Sequence, residues 1–116
     1  MREQRKDPIR LNDILQAIDT IFQYVEGRDK EAFLADKRSY HAVIYNIMII
    51  GEAANMLTND FRESHAEIPW RQIIDMRNVL VHGYYNTSPL FVWETYTNDL
   101  PFLKEQVAKF IAELDE

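Results

Sequence analysis

The chain has 116 residues, with 13 lysines and arginines against 19 aspartates and glutamates, giving a formal net charge of −6. Its length suits one domain covering residues 1–116, and a 47% apolar share is enough to bury a core. Cysteine is absent, which excludes a disulfide scaffold, a thiolate metal site and a cysteine nucleophile. The acidic balance argues against a general nucleic-acid coat protein, but it leaves room for a small basic site.

The opening residues, Met1 to Asp7, lack the apolar stretch of a secretory signal. The longest apolar run, Ala42 to Leu57, is interrupted by Asn46, Glu52 and Asn55. It falls short of the roughly 20 apolar residues that a membrane span needs. The expectation is a cytoplasmic protein with no membrane partner.

Asp7-Pro8 predicts a helix start, with the aspartate as cap and the proline in the first helical position. Leu11, Ile14, Leu15, Ile18, Ile21, Phe22 and Val25 follow at three- and four-residue steps, an amphipathic stripe. Gly27 stands where such a helix stops. Asp29 then caps a short helix carrying Ala32, Phe33 and Leu34.

A long helix is expected from about Ser39 to about Asn59. Its apolar surface is wide, taking in Val43, Ile44, Ile47, Ile50, Ala53 and Ala54 as well as Met48, Ile49, Met56 and Leu57. A helix apolar nearly all round is either central or packed against a second subunit. Gly51 lies in its middle, where glycine costs about 1 kcal/mol relative to alanine. A close approach of another helix would explain it.

Phe61 to Glu67 is polar and predicts irregular chain or one short turn. Pro69 opens a helix that runs through about His82, and Gly83 ends it. Asn86 to Pro89 reads as loop, cap and first turn. The last helix runs from Pro89 towards Leu114, with a kink at Pro101. There is no sustained strand alternation, repeat or low-complexity stretch. The predicted fold is all-α: an antiparallel helical bundle of four main helices plus a short helix.

The helix opened by Pro69 carries the candidate chemistry. Trp70, Ile73, Ile74, Leu80 and Val81 form its expected core stripe, and Arg77 falls within that stripe. Arginine is rarely buried without a partner. The simplest role for Arg77 is a structural ion pair, with Glu52 as the partner, since Glu52 also interrupts an apolar face. A second stripe, Arg71, Asp75, Asn78 and His82, is polar. Imidazole both accepts and donates protons near neutrality, which makes His82 a candidate acid or base. Five residues separate Arg77 from His82, roughly 140° around an ideal helix. They would converge if the helix unwound at Gly83, or if a twofold axis brought two such helix ends together.

Other candidates are weaker. His41 and His65 fit surface positions better than ligand positions. No zinc spacing, glycine-rich phosphate loop or serine–histidine–aspartate set is recognisable, so neither metal nor cofactor is expected. Tyr40, Tyr45, Trp70, Trp93 and Tyr96 read as core or interface rather than base-stacking platforms. Arg2, Arg5, Lys6 and Arg10 read as a solvated end that could also contact phosphates.

The segment Arg77-Asn78-Val79-Leu80-Val81-His82-Gly83-Tyr84 resembles the signature of HEPN-domain proteins: an arginine, a polar residue, three more, then histidine. The tyrosine two residues on resembles the HepT-like toxin branch. Gly51-Glu52-Ala53, Ile68-Pro69-Trp70, Val92-Trp93 and Leu100-Pro101 also resemble that branch, so the likeness covers most of the chain. The resemblance implies a helical homodimer whose two motifs line one cleft. It implies a metal-independent ribonuclease toxin acting on RNA, with no DNA substrate. It further implies an MntA-like minimal nucleotidyltransferase antitoxin that silences the toxin by adding AMP to the motif tyrosine. Carried over to this sequence, Arg77 and His82 are catalytic and Asn78 is the polar position. Tyr84 is the modified residue, and Glu52 supports the site. A non-catalytic helical dimerisation module and a nucleotide-binding module remain the alternatives.

Overall fold

The computed structural model describes residues 6–83 and 86–114. Among the described residues there are seven helices and no strand. They are α1 (Asp7–Val25), α2 (Lys30–Ala35), α3 (Lys37–Met56), α4 (Asn59–Ser64), α5 (Trp70–Gly83), α6 (Pro89–Asn98) and α7 (Leu100–Leu114). The all-α expectation holds.

The central helix is α3, which packs against α1 on one side and α5 on the other, with α7 lying along α1. Leu11, Ile14, Ile18 and Ile21 of α1 are buried against Val43, Ile44, Ile47 and Ile50 of α3 and Leu103, Val107 and Phe110 of α7. The stripe at three- and four-residue steps is therefore the core seam, and such burial is the main favourable term in folding. Gly27 ends α1 with φ +79°, a left-handed conformation that glycine adopts without strain. Asp29 Oδ1 accepts from the Ala32 backbone N–H at 2.8 Å and caps α2.

Several local expectations are corrected. Asp7 does not cap α1. Its buried carboxylate instead accepts from the Thr58 backbone N–H at 2.9 Å and the Thr58 hydroxyl at 2.7 Å. Thr58 Oγ1 in turn accepts from the Phe61 N–H at 3.2 Å, so α3 stops at Met56 and a separate six-residue helix, α4, forms where irregular chain or one short turn was expected. The kink foreseen at Pro101 is a full break: α6 ends at Asn98 and α7 begins at Leu100, because proline in the second position of α7 has no N–H to continue a helix.

His65 is half-buried rather than fully at the surface. Its ring stacks on Phe61 with centroids 4.2 Å apart and lies 4.3 Å from Phe110, and its Nδ1 is 3.0 Å from the Phe61 carbonyl oxygen. Finally, Val81 is exposed rather than core, because α5 packs chiefly on α3 and buries a narrow face. Tyr45 is likewise exposed, whereas Tyr40, Trp93 and Tyr96 pack around Phe33 and Phe22.

No described helix is long and apolar enough to cross a membrane.

Candidate functional site

The site grows out of the α3–α5 seam. Gly51 lies beneath Arg77 so closely that a β-carbon there would stand 2.2 Å from the Arg77 Cβ and 2.9 Å from its Cγ. The missing side chain lets the arginine stem lie on α3, which is the close approach expected from a mid-helix glycine. The guanidinium is then caught from two directions. Its Nη2 is 2.7 Å from Glu52 Oε2 on α3, and its Nη1 donates to Asn78 Oδ1 at 2.8 Å on its own helix.

The Arg77 side chain is 33% exposed and that of Glu52 51%. An ion pair this open to solvent contributes about 0–1 kcal/mol to stability. Its stronger effect is orientation: two of the N–H donors on a guanidinium fork are engaged, and the rest are available to a phosphate. The structure thus brings together Arg77, Asn78 and Glu52, although the helical spacing had put Asn78 and Arg77 on different stripes. Asn78 is exposed, so its amide reaches round the helix to its neighbour.

His82 lies in the last turn of α5 and is exposed. Among the described residues no hydrogen bond or ion pair links it to Arg77. Beyond it, the Thr87 hydroxyl donates to the Gly83 carbonyl at 3.2 Å. Tyr84, the expected modification target, lies outside the described residues. Arg71 and Asp75 form an exposed pair at 3.9 Å about two to three turns before His82. Among the described residues no group of three or more histidine, aspartate or glutamate side chains is placed to hold a metal ion.

One feature went unread in the sequence. A groove of about 330 Å³ runs between α1 and α3, and Glu52 lines its edge. Its signal was present as Arg10, Asp13, Gln16 and Thr20 at steps of three, three and four, facing Asn46 in an otherwise apolar stretch.

The family model for "Ribonuclease HepT-like" proteins matches residues 14–110. The chain belongs to the HepT-like ribonuclease family. A Thermococcus cleftensis protein named a probable ribonuclease HepT is 39% identical over 109 residues, covering 94% of this chain and 97% of that one. A Methanocaldococcus jannaschii protein, named a gamma-glutamylcyclotransferase and candidate RNase, is 39% identical over 113 residues. That match covers 97% of this HepT-like chain and 51% of its longer relative. A candidate RNase of Caldanaerobacter subterraneus is 35% identical over 101 residues, covering 87% and 90% of the two chains. No solved structure matches the chain. The segment matched by the family model contains Glu52, Arg77, Asn78, His82 and Tyr84.

Proposed function

We propose that this protein is the toxin of a toxin–antitoxin pair and acts as a metal-independent endoribonuclease through Arg77 and His82. The observation that carries the reading is the Arg77 guanidinium, held at the α3–α5 seam by Glu52 and Asn78 with donors to spare, one turn before an exposed histidine. The chain's membership of the HepT-like ribonuclease family supports it.

RNA brings its own nucleophile. The 2′-oxygen bonds to phosphorus while the P–O5′ bond breaks. The 2′-hydroxyl proton passes to a base, and the leaving 5′-oxygen takes up a proton. His82 serves as base or acid, a role generally worth 10²–10⁴-fold in rate. Arg77 binds the phosphate and offsets the charge that builds on it. The products carry 2′,3′-cyclic phosphate and 5′-hydroxyl ends.

Two such helix ends in a homodimer would supply an acid and a base together. The exposed apolar side chains Val79 and Val81 on the motif helix support a subunit contact there. The partner is a minimal nucleotidyltransferase antitoxin. AMP added to Tyr84 silences the toxin by filling the cleft and by repelling the RNA backbone. Intact-mass measurement after co-expression with a neighbouring nucleotidyltransferase tests this part. Wild type gains AMP units and loses activity, while Tyr84→Phe gains none. Equal gain in Tyr84→Phe contradicts the assignment.

A further inference from the structure

The groove between α1 and α3 has a mixed polar and apolar lining. Arg10, Asp13, Gln16 and Thr20 come from α1, and Asn46 and Glu52 from α3. Ile49 and Met56 add apolar surface to the lining. Its volume of about 330 Å³ lies at the lower end of small-ligand sites.

Several of its polar groups are already partly committed, and what remains defines a ligand. The Asn46 side-chain amide donates to the Ala42 carbonyl at 2.9 Å, which leaves Asn46 Oδ1 to accept. The Thr20 hydroxyl donates to the Gln16 carbonyl at 2.8 Å, so its oxygen also accepts. Asp13 adds a carboxylate. Against these acceptors stands one cationic donor, Arg10, whose Nε is buried without a hydrogen-bond partner.

Glu52 is already paired with Arg77, which leaves one carboxylate, Asp13, and one guanidinium, Arg10, along a groove of balanced charge that gives no net attraction to a phosphate. Such a groove suits a neutral, flat group with donors along one edge and acceptors along another. Guanine has that pattern: its N1–H and exocyclic amine donate, and its O6 and N7 accept. The carboxylate and the amide oxygen take the donor edge, and arginine takes O6 and N7, the commonest specific contact to this base. Uracil has a single ring N–H to donate. Unpaired RNA bases are commonly read on these edges.

Glu52 is the joint between this groove and the candidate catalytic arginine, since it lines the groove and also meets Arg77 Nη2 at 2.7 Å. We propose that the α1–α3 groove is a guanine-selective subsite for the nucleotide beside the scissile phosphate. Base binding stands on the groove alone, and its place next to the reacting phosphate rests on the ribonuclease reading above.

The test titrates the ¹⁵N-labelled full chain with the 5′-monophosphates of guanosine, adenosine, cytidine and uridine. The expected result is a shift of the Ala17, Asn46 and Ala53 amides by guanosine monophosphate, at an affinity at least about fivefold above uridine monophosphate. Asp13→Asn and Arg10→Met, each confirmed as folded by its amide spectrum, should erase that preference. No shift in the groove, equal shifts with all four nucleotides, or an unchanged preference in both variants overturns the proposal.

A second readout compares cleavage of oligoribonucleotides that differ in one base. The kcat/KM ratio of guanine to uracil falls about tenfold or more in Asp13→Asn. Cleavage without base preference in wild type overturns the subsite and leaves the ribonuclease reading intact. Selective guanosine monophosphate binding without RNA cleavage keeps the base site and removes the ribonuclease reading.

Discussion

Gly51 and Arg77 touch along the α3–α5 seam with no room between them: a β-carbon on Gly51 would lie 2.2 Å from the Arg77 Cβ and 3.1 Å from the Ile73 carbonyl oxygen. One contact is side chain and the other backbone, so relief requires the helices to part or Arg77 to move. Gly51→Ala gains helix propensity but overpacks the seam, and the net loss should be about 1–3 kcal/mol. Ribonuclease activity should fall about 10²-fold, since small displacements of a catalytic group are that costly. Denaturant melts and RNA cleavage rates check the pair of effects. Full activity in the folded variant would separate the seam from the site.

Glu52→Gln probes orientation rather than stability. The pair is open to solvent, so unfolding free energy should change by no more than about 1 kcal/mol. The guanidinium loses its charged anchor, and kcat/KM should fall about tenfold, equivalent to about 1.4 kcal/mol of transition-state stabilisation. Loss of stability with unchanged kcat/KM would make Glu52 a purely structural partner.

Asp7→Ala tests the tie between α1 and the start of α4. The buried carboxylate accepts two hydrogen bonds from Thr58, across 51 residues of sequence. Removing it leaves the Thr58 N–H and hydroxyl without that acceptor and should cost about 2–3 kcal/mol. Tm should drop by about 10 °C. A change within about 2 °C would mean that solvent replaces the carboxylate.

Asp36 gives an acid-range prediction. The hydrogen bond from the Ser39 hydroxyl, followed by that from Arg28, lowers its pKa below the ordinary aspartate value. A carboxyl depressed in the folded state stabilises fully above its unfolded pKa, about 4, and loses that contribution as pH falls through the folded value. Wild type should therefore be more stable than Asp36→Asn at about pH 6, with the gap closing towards about pH 3. Urea midpoints at both pH values measure it, and a constant gap contradicts the linkage.

The sequence made the helices legible wherever a stripe met a cap: Leu11 to Val25 before Gly27, and Trp70 to His82 before Gly83. The Arg77–Glu52 pair was readable because both charges interrupt apolar faces. The role of Asp7 was not, because its partner Thr58 is distant in sequence and an aspartate before a proline has a ready local reading as a cap. Val81 was misplaced because spacing shows that a face is apolar, not how much of it a neighbour covers. The groove between α1 and α3 was hidden for a related reason: polar residues on a helix normally face water, and only the packing of α1 on α3 closes them around Asn46.

The most direct test of the central claim is RNA cleavage by wild type, Arg77→Ala and His82→Ala in excess chelator, with the product ends mapped. The account predicts cleavage by wild type alone, leaving 2′,3′-cyclic phosphate ends, and a loss of at least about 10²-fold in each folded variant. Undiminished metal-free cleavage by His82→Ala would contradict it.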